Sequence, residues 1–327
     1  GGDEFIIAIE VSNEHSGVEK FCNKHLEQLR QPYKINNREL IITASMGVSV
    51  YIEGKVKISE LIQNADIAMF QSKKKGKNRF EVFSPPHHTE LLENIEIENS
   101  LRHAIRNNQI DVHFQPQICT DSSEIIGVEA LARWHDQTLG DIAPQKFIMI
   151  AEENQIINEL SNVIFYKALE QFKELQKQSP HLVLSLNLSA SQLQDEGLVS
   201  SLKEATNKLN IAPSHLKLEV TEDVLMLDIQ RSVDNIFLLK RMGFRISLDD
   251  FGTGYSSLSY LKDLEIDELK IDRSFVCTIN DSERNKAIVS AIVVMSKELD
   301  IDCIIEGVET EDQLSTLHKM GCTRFQG

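Results

Sequence analysis

The order of apolar and polar positions divides the chain into two regions with different patterns. In the first, the pattern predicts a strand at 4–10, an amphipathic helix at 16–30, a long strand at 38–52, a helix at 58–74 and a strand at 79–83. Pro85 and Pro86 follow, and proline breaks both kinds of element. We therefore predict a boundary there, with one domain at 1–84, a second at 85–327, and a long helix at 90–106.

Short apolar runs alternate with helical stretches through the second region. The runs cover 110–118, 125–134, 182–188, 216–220, 244–248, 268–271, 302–305 and 323–326. Strands with intervening helices in this number predict an α/β fold, a (β/α)₈ barrel of the TIM type. The carboxyl ends of barrel strands meet at one mouth, where such folds place their catalytic groups.

Polar side chains stand where six of these runs end. They are Glu129, Asn187, Glu219, Asp249 with Asp250, Lys270 with Asp272, and Glu306. A single acid after a strand is more often a solvated loop residue or a helix cap than a functional group. Several carboxylates at one mouth are a different signal, because they repel one another and raise their pKa values unless cations neutralise them. The pattern therefore predicts bound metal.

The chemistry of these side chains indicates which metal and which reaction. The ligands would be oxygen atoms, and oxygen ligands without imidazole or thiolate select Mg²⁺ or Mn²⁺ over Zn²⁺. Adjacent Asp249 and Asp250 could serve two metals about 4 Å apart, an arrangement that suits phosphodiester hydrolysis. Lys270 would add positive charge beside the transition state, and Glu306 could accept or position the proton of the attacking water.

Composition and charge narrow the class of function. The chain has 34 Lys and Arg against 50 Asp and Glu, a formal net charge of -16, so we expect no nucleic-acid polymer as partner. The five cysteines form no C-x-x-C pair and fit a reducing compartment, so we expect these domains to be cytoplasmic. No apolar run is long enough to cross a membrane, although the first residue is not Met and a longer, membrane-anchored protein stays open.

Seven short motifs of the second region belong together. They are Phe114-Gln115-Pro116, Glu129-Ala130-Leu131-Ala132-Arg133-Trp134, Asn187-Leu188-Ser189, Glu219-Val220-Thr221-Glu222, Asp249 to Ser256, Lys270-Ile271-Asp272 and Glu306-Gly307-Val308-Glu309. In combination they resemble the EAL family of cyclic di-GMP phosphodiesterases. The resemblance implies cleavage of cyclic di-GMP to linear 5′-pGpG with two divalent ions, Mg²⁺ or Mn²⁺, and a homodimer formed through this domain.

The resemblance also implies a role for each matching residue. Glu129, Asn187, Glu219 and Asp249 would bind one metal, and Asp249 and Asp250 the other. Glu306 and Lys270 would act on water and phosphate, so that the catalytic set is Glu306, Lys270, Glu129 and Asp249. The nucleotide would be contacted by Gln115, Pro116, Leu131, Arg133, Asp272 and Gln326, and Glu222 would brace the loop from Asp249 to Ser256. Without the resemblance, Gln115 could simply end a strand and Arg133 could pair with a neighbouring carboxylate.

Two motifs of the first region, Gly1-Gly2-Asp3-Glu4-Phe5 and the lysine-rich stretch from Ser72 to Arg79, resemble the second half of a GGDEF diguanylate cyclase domain, an α+β fold. The resemblance implies that Gly1 and Gly2 admit a nucleotide, that Asp3 and Glu4 hold Mg²⁺ and activate a hydroxyl, and that Lys73 and Lys77 reach the triphosphate of GTP. The lysines could instead be a solvated helix end. We expect a partial GGDEF domain, and a barrel that lacks its extreme C-terminal helix.

Three functions remain open for these residues. The first is a metal-dependent phosphodiesterase, with the GGDEF part regulatory or a truncated cyclase. The second is a receptor that binds cyclic di-GMP without cleaving it, and the third is a bifunctional cyclase and phosphodiesterase in a longer protein. Because every expected acid, amide and lysine is present, we favour the phosphodiesterase.

Overall fold

A computed structural model describes residues 4–9, 14–35, 38–51, 57–83, 85–195, 197–252 and 264–327. The chain forms two compact units, Gly1–Glu96 and Ile97–Gly327. Among the described helices, none is long and apolar enough to span a membrane.

The first unit contains two helices and two small sheets in its described part. The elements are the helix Glu14–Leu29, β1 Tyr33–Ile35, β2 Arg38–Leu40, β3 Met46–Val48, the helix Ile58–Lys74 and β4 Phe80–Val82. β1 and β2 form an antiparallel pair, and β3 and β4 a parallel pair. The helix predicted at 58–74 is confirmed, and the helix predicted at 16–30 begins two residues earlier, at Glu14, and ends at Leu29.

Two strand predictions in the first unit are wrong. Residues 4–9 are not in a strand, and the side chains of Phe5 and Ile6 are exposed. The long strand predicted at 38–52 is instead the two short strands β2 and β3, separated by residues 41–45. An apolar run becomes a strand only where a neighbouring strand pairs with it. In the described part of this unit, β2 pairs with β1 and β3 pairs with β4. Each strand is therefore only as long as the strand that pairs with it.

The helix Ile58–Lys74 lies directly against β3. A Cβ atom added to Gly47 would lie 1.9 Å from the carbonyl oxygen of Ala65, so only glycine permits this approach of strand and helix. Asn64, Ala68 and Ser72 are buried on this helix. The helix and β3 therefore pack in close contact.

The two prolines begin a helix and do not break one. The helix Pro85–Arg106 starts at the first of them, which corrects the predicted break and moves the start of the helix five residues towards the N-terminus. Proline is tolerated in the first turn of a helix because the N–H groups there have no intrahelical partner and its fixed φ is already helical.

The second unit is a closed barrel of eight strands, which confirms the predicted fold. The strands in chain order are β5 Ile110–Cys119, β6 Glu124–Asp136, β7 Gly140–Ile142, β8 Val183–Asn187, β9 Leu216–Thr221, β10 Arg245–Phe251, β11 Glu268–Ile271, β12 Asp302–Glu306 and β13 Arg324–Gln326. The ring runs β5-β13-β12-β11-β10-β9-β8-β6 and closes through the pairing of β5 with β6, while β7 pairs on the outside with β6.

One barrel strand runs against the others. β5 is antiparallel to both its neighbours, β6 and β13, whereas the other neighbouring pairs in the ring are parallel. The reason is the connection: β5 and β6 are joined by four residues, 120–123, and strands joined by a short turn can only be antiparallel. The barrel therefore departs from a uniform (β/α)₈ arrangement at its first strand.

Helices cover the outside of the barrel. They are Pro144–Glu153, Ile157–Gln178, Ala190–Leu193, Leu198–Leu209, Glu222–Leu227, Ile229–Arg241, Arg273–Val276, Glu283–Glu298 and Glu311–Lys319, with a 3₁₀ turn at Pro213–His215. The apolar positions of the strands, such as Leu184, Leu218 and Leu269, are fully buried in the core beneath them. Because side chains alternate across a strand, the intervening positions face the barrel interior, where polar side chains are found.

Candidate active site

The ammonium of Lys270 lies at the centre of four carboxylates. Its Nζ atom is 2.6 Å from Glu219 Oε2 and from Glu306 Oε1, and 3.3 Å from Glu129 Oε2 and Asp249 Oδ1. These side chains come from β6, β9, β10, β11 and β12. The structure thus brings together five of the residues that the strand ends predicted.

Burial shapes the charge of this cluster. Burial raises the pKa of Glu219 to about 8; the nearby Lys270 ammonium opposes this, and the carboxylates of Glu129 and Asp249 add to it. Burial likewise raises the pKa of Glu306 to about 7, again against the effect of Lys270. The pKa of Lys270 itself is well above its usual value, since the attraction of the carboxylates exceeds the opposing effect of burial.

Among the four carboxylates around Lys270, Glu129 accepts hydrogen bonds from three side chains, those of Asn187, Gln326 and Lys270. Burial acts to raise its pKa, but Lys270 and the amides of Gln326 and Asn187 outweigh burial and lower it. Asn187 Nδ2 donates to Glu129 Oε1 at 2.7 Å, and Gln326 Nε2 donates to Oε2 at 2.5 Å. Glu129 is therefore held as an anion in one orientation.

The backbone bends sharply at Asp250. This residue has φ 55°, in the left-handed region that residues other than glycine rarely adopt. Its N–H donates to Asp249 Oδ1 at 2.9 Å, and the register of β10 against β11 shifts at this point. Burial and the carboxylates of Asp249 and Asp272 raise the pKa of Asp250. The bend presents two successive carboxylates at the edge of the barrel.

Glu222 contacts the beginning of the loop that it was predicted to brace. Its Oε1 atom accepts a hydrogen bond from the N–H of Gly252 at 3.0 Å. Gly252 has φ 94°, which glycine adopts without strain. The remainder of the predicted loop, from 253 to Ser256, lies outside the described residues.

The residues predicted to contact a nucleotide fall into two groups. Gln115 lies opposite Glu129 in the β5–β6 register and accepts a hydrogen bond from Gln326 Nε2 at 3.2 Å. Leu131 and Arg133 share the Glu129 face of β6, because residues two and four apart on a strand do so. Arg133 Nη1 donates to the carbonyl oxygen of Ala132 at 2.8 Å.

Pro116 and Asp272 are placed differently. Pro116 pairs with Val128, and strand alternation puts both on the face opposite to that of Gln115 and Glu129. Asp272 caps the helix Arg273–Val276, where its Oδ1 accepts from the N–H of Ser274 at 3.0 Å. The predicted nucleotide contact would use the same carboxylate that caps this helix.

Little of the predicted cyclase remnant is described. Gly1, Gly2 and Asp3 lie outside the described residues, and Glu4 is exposed. Lys73 lies in the last turn of its helix, where the helix dipole stabilises a basic side chain. Lys77 lies just beyond that helix and has φ 59°.

A second polar layer inside the barrel was not predicted from the sequence. Its members are Gln117, Ser185, Lys217, Ser247 and Glu268, each buried. A signal for two of them is present in the sequence, because Lys217 precedes Glu219 by two residues and Glu268 precedes Lys270 by two. On a strand, such pairs share one face, so both side chains point into the interior.

The oxygen atoms of the site are suitable ligands for a hard cation. Glu219 Oε1 is buried and has no hydrogen-bond partner in the described part of the chain, and a buried acceptor of this kind is costly unless it is satisfied. Asn187 turns its nitrogen to Glu129, so its carbonyl oxygen is the atom that would face a cation. Within the described ranges no three Asp, Glu, His or Cys residues are already grouped to hold a metal. Carboxylate and amide oxygens suit Mg²⁺ or Mn²⁺.

The fold and the site define a TIM-type barrel protein with an acidic, lysine-centred site built from its strands. Residues 98–327 match the family model of the EAL domain, and residues 1–79 match that of the diguanylate cyclase, GGDEF domain. The chain therefore belongs to the EAL family and carries GGDEF-domain sequence before the barrel. EAL domains generally depend on divalent metal.

The chain is similar to several proteins of known or assigned activity. It is 35% identical to the cyclic di-GMP phosphodiesterase NbdA of Pseudomonas aeruginosa over 327 residues, which is 100% of this chain and 42% of that protein. It is 38% identical over 329 residues to the bifunctional diguanylate cyclase/cyclic di-GMP phosphodiesterase MucR of the same organism, covering 100% of this chain and 48% of MucR. The chain thus spans less than half the length of these two relatives.

Two solved structures bound to cyclic di-GMP are similar to this chain. The PaMucR phosphodiesterase in complex with cyclic di-GMP is 40% identical, with a TM-score of 0.68, over 71% of this chain and 94% of that one. The FimX EAL domain from Pseudomonas aeruginosa bound to cyclic di-GMP is 25% identical, with a TM-score of 0.64, over 72% of this chain and 93% of that one.

Proposed function

We propose that this chain hydrolyses one phosphodiester of cyclic di-GMP to give linear 5′-pGpG at the mouth of the barrel. The observation that carries the proposal is the convergence of Glu129, Glu219, Asp249 and Glu306 on the buried Lys270. Such a concentration of charge on a barrel interior is typical of a catalytic site. The phosphodiesterase relatives and the nucleotide complex support the same substrate.

Two divalent ions, Mg²⁺ or Mn²⁺, would complete the site. Glu129, Asn187, Glu219 and Asp249 would hold one, and Asp249 and Asp250 the other. When bound, such ions polarise phosphoryl oxygens and lower the pKa of a bound water. Binding would also satisfy the buried Glu219 Oε1 atom, which has no partner among the described residues.

The remaining side chains would act on water, phosphate and nucleotide. Glu306, whose Oε1 atom lies 2.6 Å from Lys270 Nζ, would accept or position the proton of the attacking water. Lys270 would place fixed positive charge beside the phosphoryl oxygens. The nucleotide would be contacted by Gln115, Pro116, Leu131, Arg133, Asp272 and Gln326, with the charge of Arg133 directed to a phosphate.

Further properties follow from the family. We infer a homodimer through the EAL domain, and a GGDEF part that binds GTP, with Lys73 and Lys77 at its triphosphate, and regulates the barrel or acts as a cyclase in a longer protein. We also infer a cytoplasmic location for these domains, because all five cysteines are free.

The test is to incubate the protein with cyclic di-GMP and Mg²⁺ or Mn²⁺ and to follow pGpG by chromatography. Glu129→Ala should abolish turnover, because this carboxylate would bind metal and also lies 3.3 Å from Lys270 Nζ. Glu124→Ala, at an exposed position of the same strand, is the matched control and should retain turnover. A native protein that binds the nucleotide but yields no pGpG would identify a receptor.

A further inference from the structure

A buried ion pair lies one layer below the candidate active site. Lys217 Nζ is 2.7 Å from Glu268 Oε1, and each side chain is 6% exposed. Ser247 Oγ donates to the same Glu268 oxygen at 3.1 Å. A buried pair of this kind adds little to stability compared with apolar side chains of equal volume, so its presence calls for another explanation.

Three hydrogen bonds join this ion pair to Glu129. Lys217 Nζ donates to Gln117 Oε1 at 3.0 Å. Gln117 Nε2 donates to Gln326 Oε1 at 2.9 Å, and Gln326 Nε2 donates to Glu129 Oε2 at 2.5 Å. We call Lys217, Gln117 and Gln326 the amide relay.

The two ends of the amide relay fix its direction. An ammonium group has only donors and an ionised carboxylate has only acceptors, whereas each amide between them has one side of each kind. The side-chain oxygen of Gln117 must therefore face the ammonium of Lys217, and its side-chain nitrogen must face Gln326. Gln326 must then accept from Gln117 with its oxygen, which leaves its nitrogen to face Glu129.

We propose that Lys217 and Gln117 are positioning residues, which orient the amide of Gln326 so that it donates to Glu129. This inference rests on the proposed function. If the side-chain amide of Gln326 were rotated by 180°, its carbonyl oxygen would face the carboxylate of Glu129, a proposed metal ligand. The two acceptor oxygens would then repel each other. The buried lysine thus acts on Glu129 through two amides, without touching the reacting atoms.

The sharpest test exchanges the carboxylate at position 268 with the amide at position 117. In the double variant Gln117→Glu with Glu268→Gln, the number of charges and the side-chain sizes are unchanged. The carboxylate introduced at position 117 has only acceptors, so Gln326 must donate to it and present its oxygen to Glu129. We expect kcat to fall about 10- to 100-fold with KM little changed, which is the usual effect of losing an outer-layer partner of a metal ligand.

Two measurements make the result independent of turnover. The affinity for Mn²⁺ alone, measured by calorimetry, should fall in the double variant. In protein labelled with ¹⁵N-glutamine, the nuclear Overhauser contact from the Gln326 amide protons to Glu129 should be replaced by one to the side chain at position 117. Lys240→Met, which removes the 2.5 Å pair with Asp267 elsewhere on the barrel, is the control and should retain wild-type values.

Each outcome decides the proposal. Wild-type kcat, together with an unchanged amide contact to Glu129, would overturn the amide relay. A wild-type protein without hydrolysis, but with the amide reversal in the double variant, would overturn the proposed function and support the relay. If the double variant fails to fold, Gln117→Glu alone places the same acceptor-only side chain beside Gln326, and an undiminished Gln326–Glu129 contact in it would equally overturn the proposal.

Discussion

Lys270 Nζ lies 2.6 Å from Glu219 Oε2, and the side chains of both residues are almost completely inaccessible to solvent, at 1% and 0% exposure. Neither side chain has bulk water to stabilise a charge, so an ammonium at this position depends on the carboxyl groups around it. Three further carboxylates surround the same ammonium. Lys270 is thus both a structural counter-charge and the group we propose beside the phosphate.

We expect Lys270→Met to destabilise the protein in the absence of divalent metal. Removing one member of a buried charged pair typically costs about 3–5 kcal/mol, because the partner is left uncompensated. Urea unfolding in EDTA measures this loss. Lys240→Met, at a partly exposed ion pair of the same barrel, should cost about 1 kcal/mol or less. Equal stability of wild type and Lys270→Met would contradict the central role of this ammonium.

Asp249 is the one carboxylate assigned to both proposed metals, so its loss should be severe. We expect Asp249→Ala to lower kcat/KM by several kcal/mol of transition-state stabilisation, a factor of about 10³. Asp281→Ala, at an exposed loop position, is the matched control. If the initial rate with Mg²⁺ falls less than about tenfold, Asp249 does not bridge two metals.

The barrel was predictable because its signal is local. Short apolar runs alternate with helical stretches, and these runs placed all eight ring strands within a few residues of their observed bounds. The convergence of Glu129 and Glu306 on Lys270 followed from the fold, since the ends of parallel strands meet at one mouth.

The features that were not predicted depend on partners distant in the chain. Residues 4–9 have a strand-like composition, yet a strand requires a neighbour, which composition does not report. Lys217 is a single polar residue between two leucines, so its contact with Gln117, 100 positions away, has no sequence signal of its own. The helical start at Pro85 shows that proline marks a helix beginning as well as a break.

The cysteines should differ sharply in their rates of alkylation. Burial raises the pKa of Cys303 and of Cys322 to about 12, so both stay protonated and unreactive at pH 8. Backbone hydrogen bonding at Ser122 lowers the pKa of Cys119, and its thiolate forms at lower pH than that of an ordinary thiol. With iodoacetamide, peptide mass spectrometry should detect modified Cys119 and the exposed Cys277 in native protein, and modified Cys303 and Cys322 only after unfolding. Modification of Cys303 before unfolding would contradict the raised pKa of its thiol.

Gly307, next to Glu306, should not tolerate a side chain. Its φ is 68°, and an added Cβ would lie 2.5 Å from Arg273 Cβ. We expect Gly307→Ala to cost about 2–4 kcal/mol, from backbone strain and overpacking together. Gly140→Ala is a matched control, because Gly140 has φ 75° but no atom within 4 Å of the added carbon, so only strain remains. Thermal unfolding of both variants separates the two effects, and equal losses would mean that Arg273 moves aside freely.

Glu222 should control the bend that presents Asp249 and Asp250. Its Oε1 atom accepts from the Gly252 N–H at 3.0 Å, and Asp250, two residues earlier, has φ 55°. A backbone conformation of this kind persists only where its surroundings hold it. We expect Glu222→Leu to remove the acceptor and to lower kcat about tenfold or more, with a weaker effect on KM, because the carboxylates would relax from the geometry needed in the transition state.

Glu222→Gln distinguishes this explanation from a simple loss of charge. The glutamine keeps a carbonyl oxygen that can accept from the Gly252 N–H, so this variant should recover most of the activity that Glu222→Leu loses. Mn²⁺ affinity should follow the same order, with wild type and Glu222→Gln close together and Glu222→Leu weaker. If Glu222→Gln is as inactive as Glu222→Leu, the negative charge of Glu222 matters more than its hydrogen bond to Gly252.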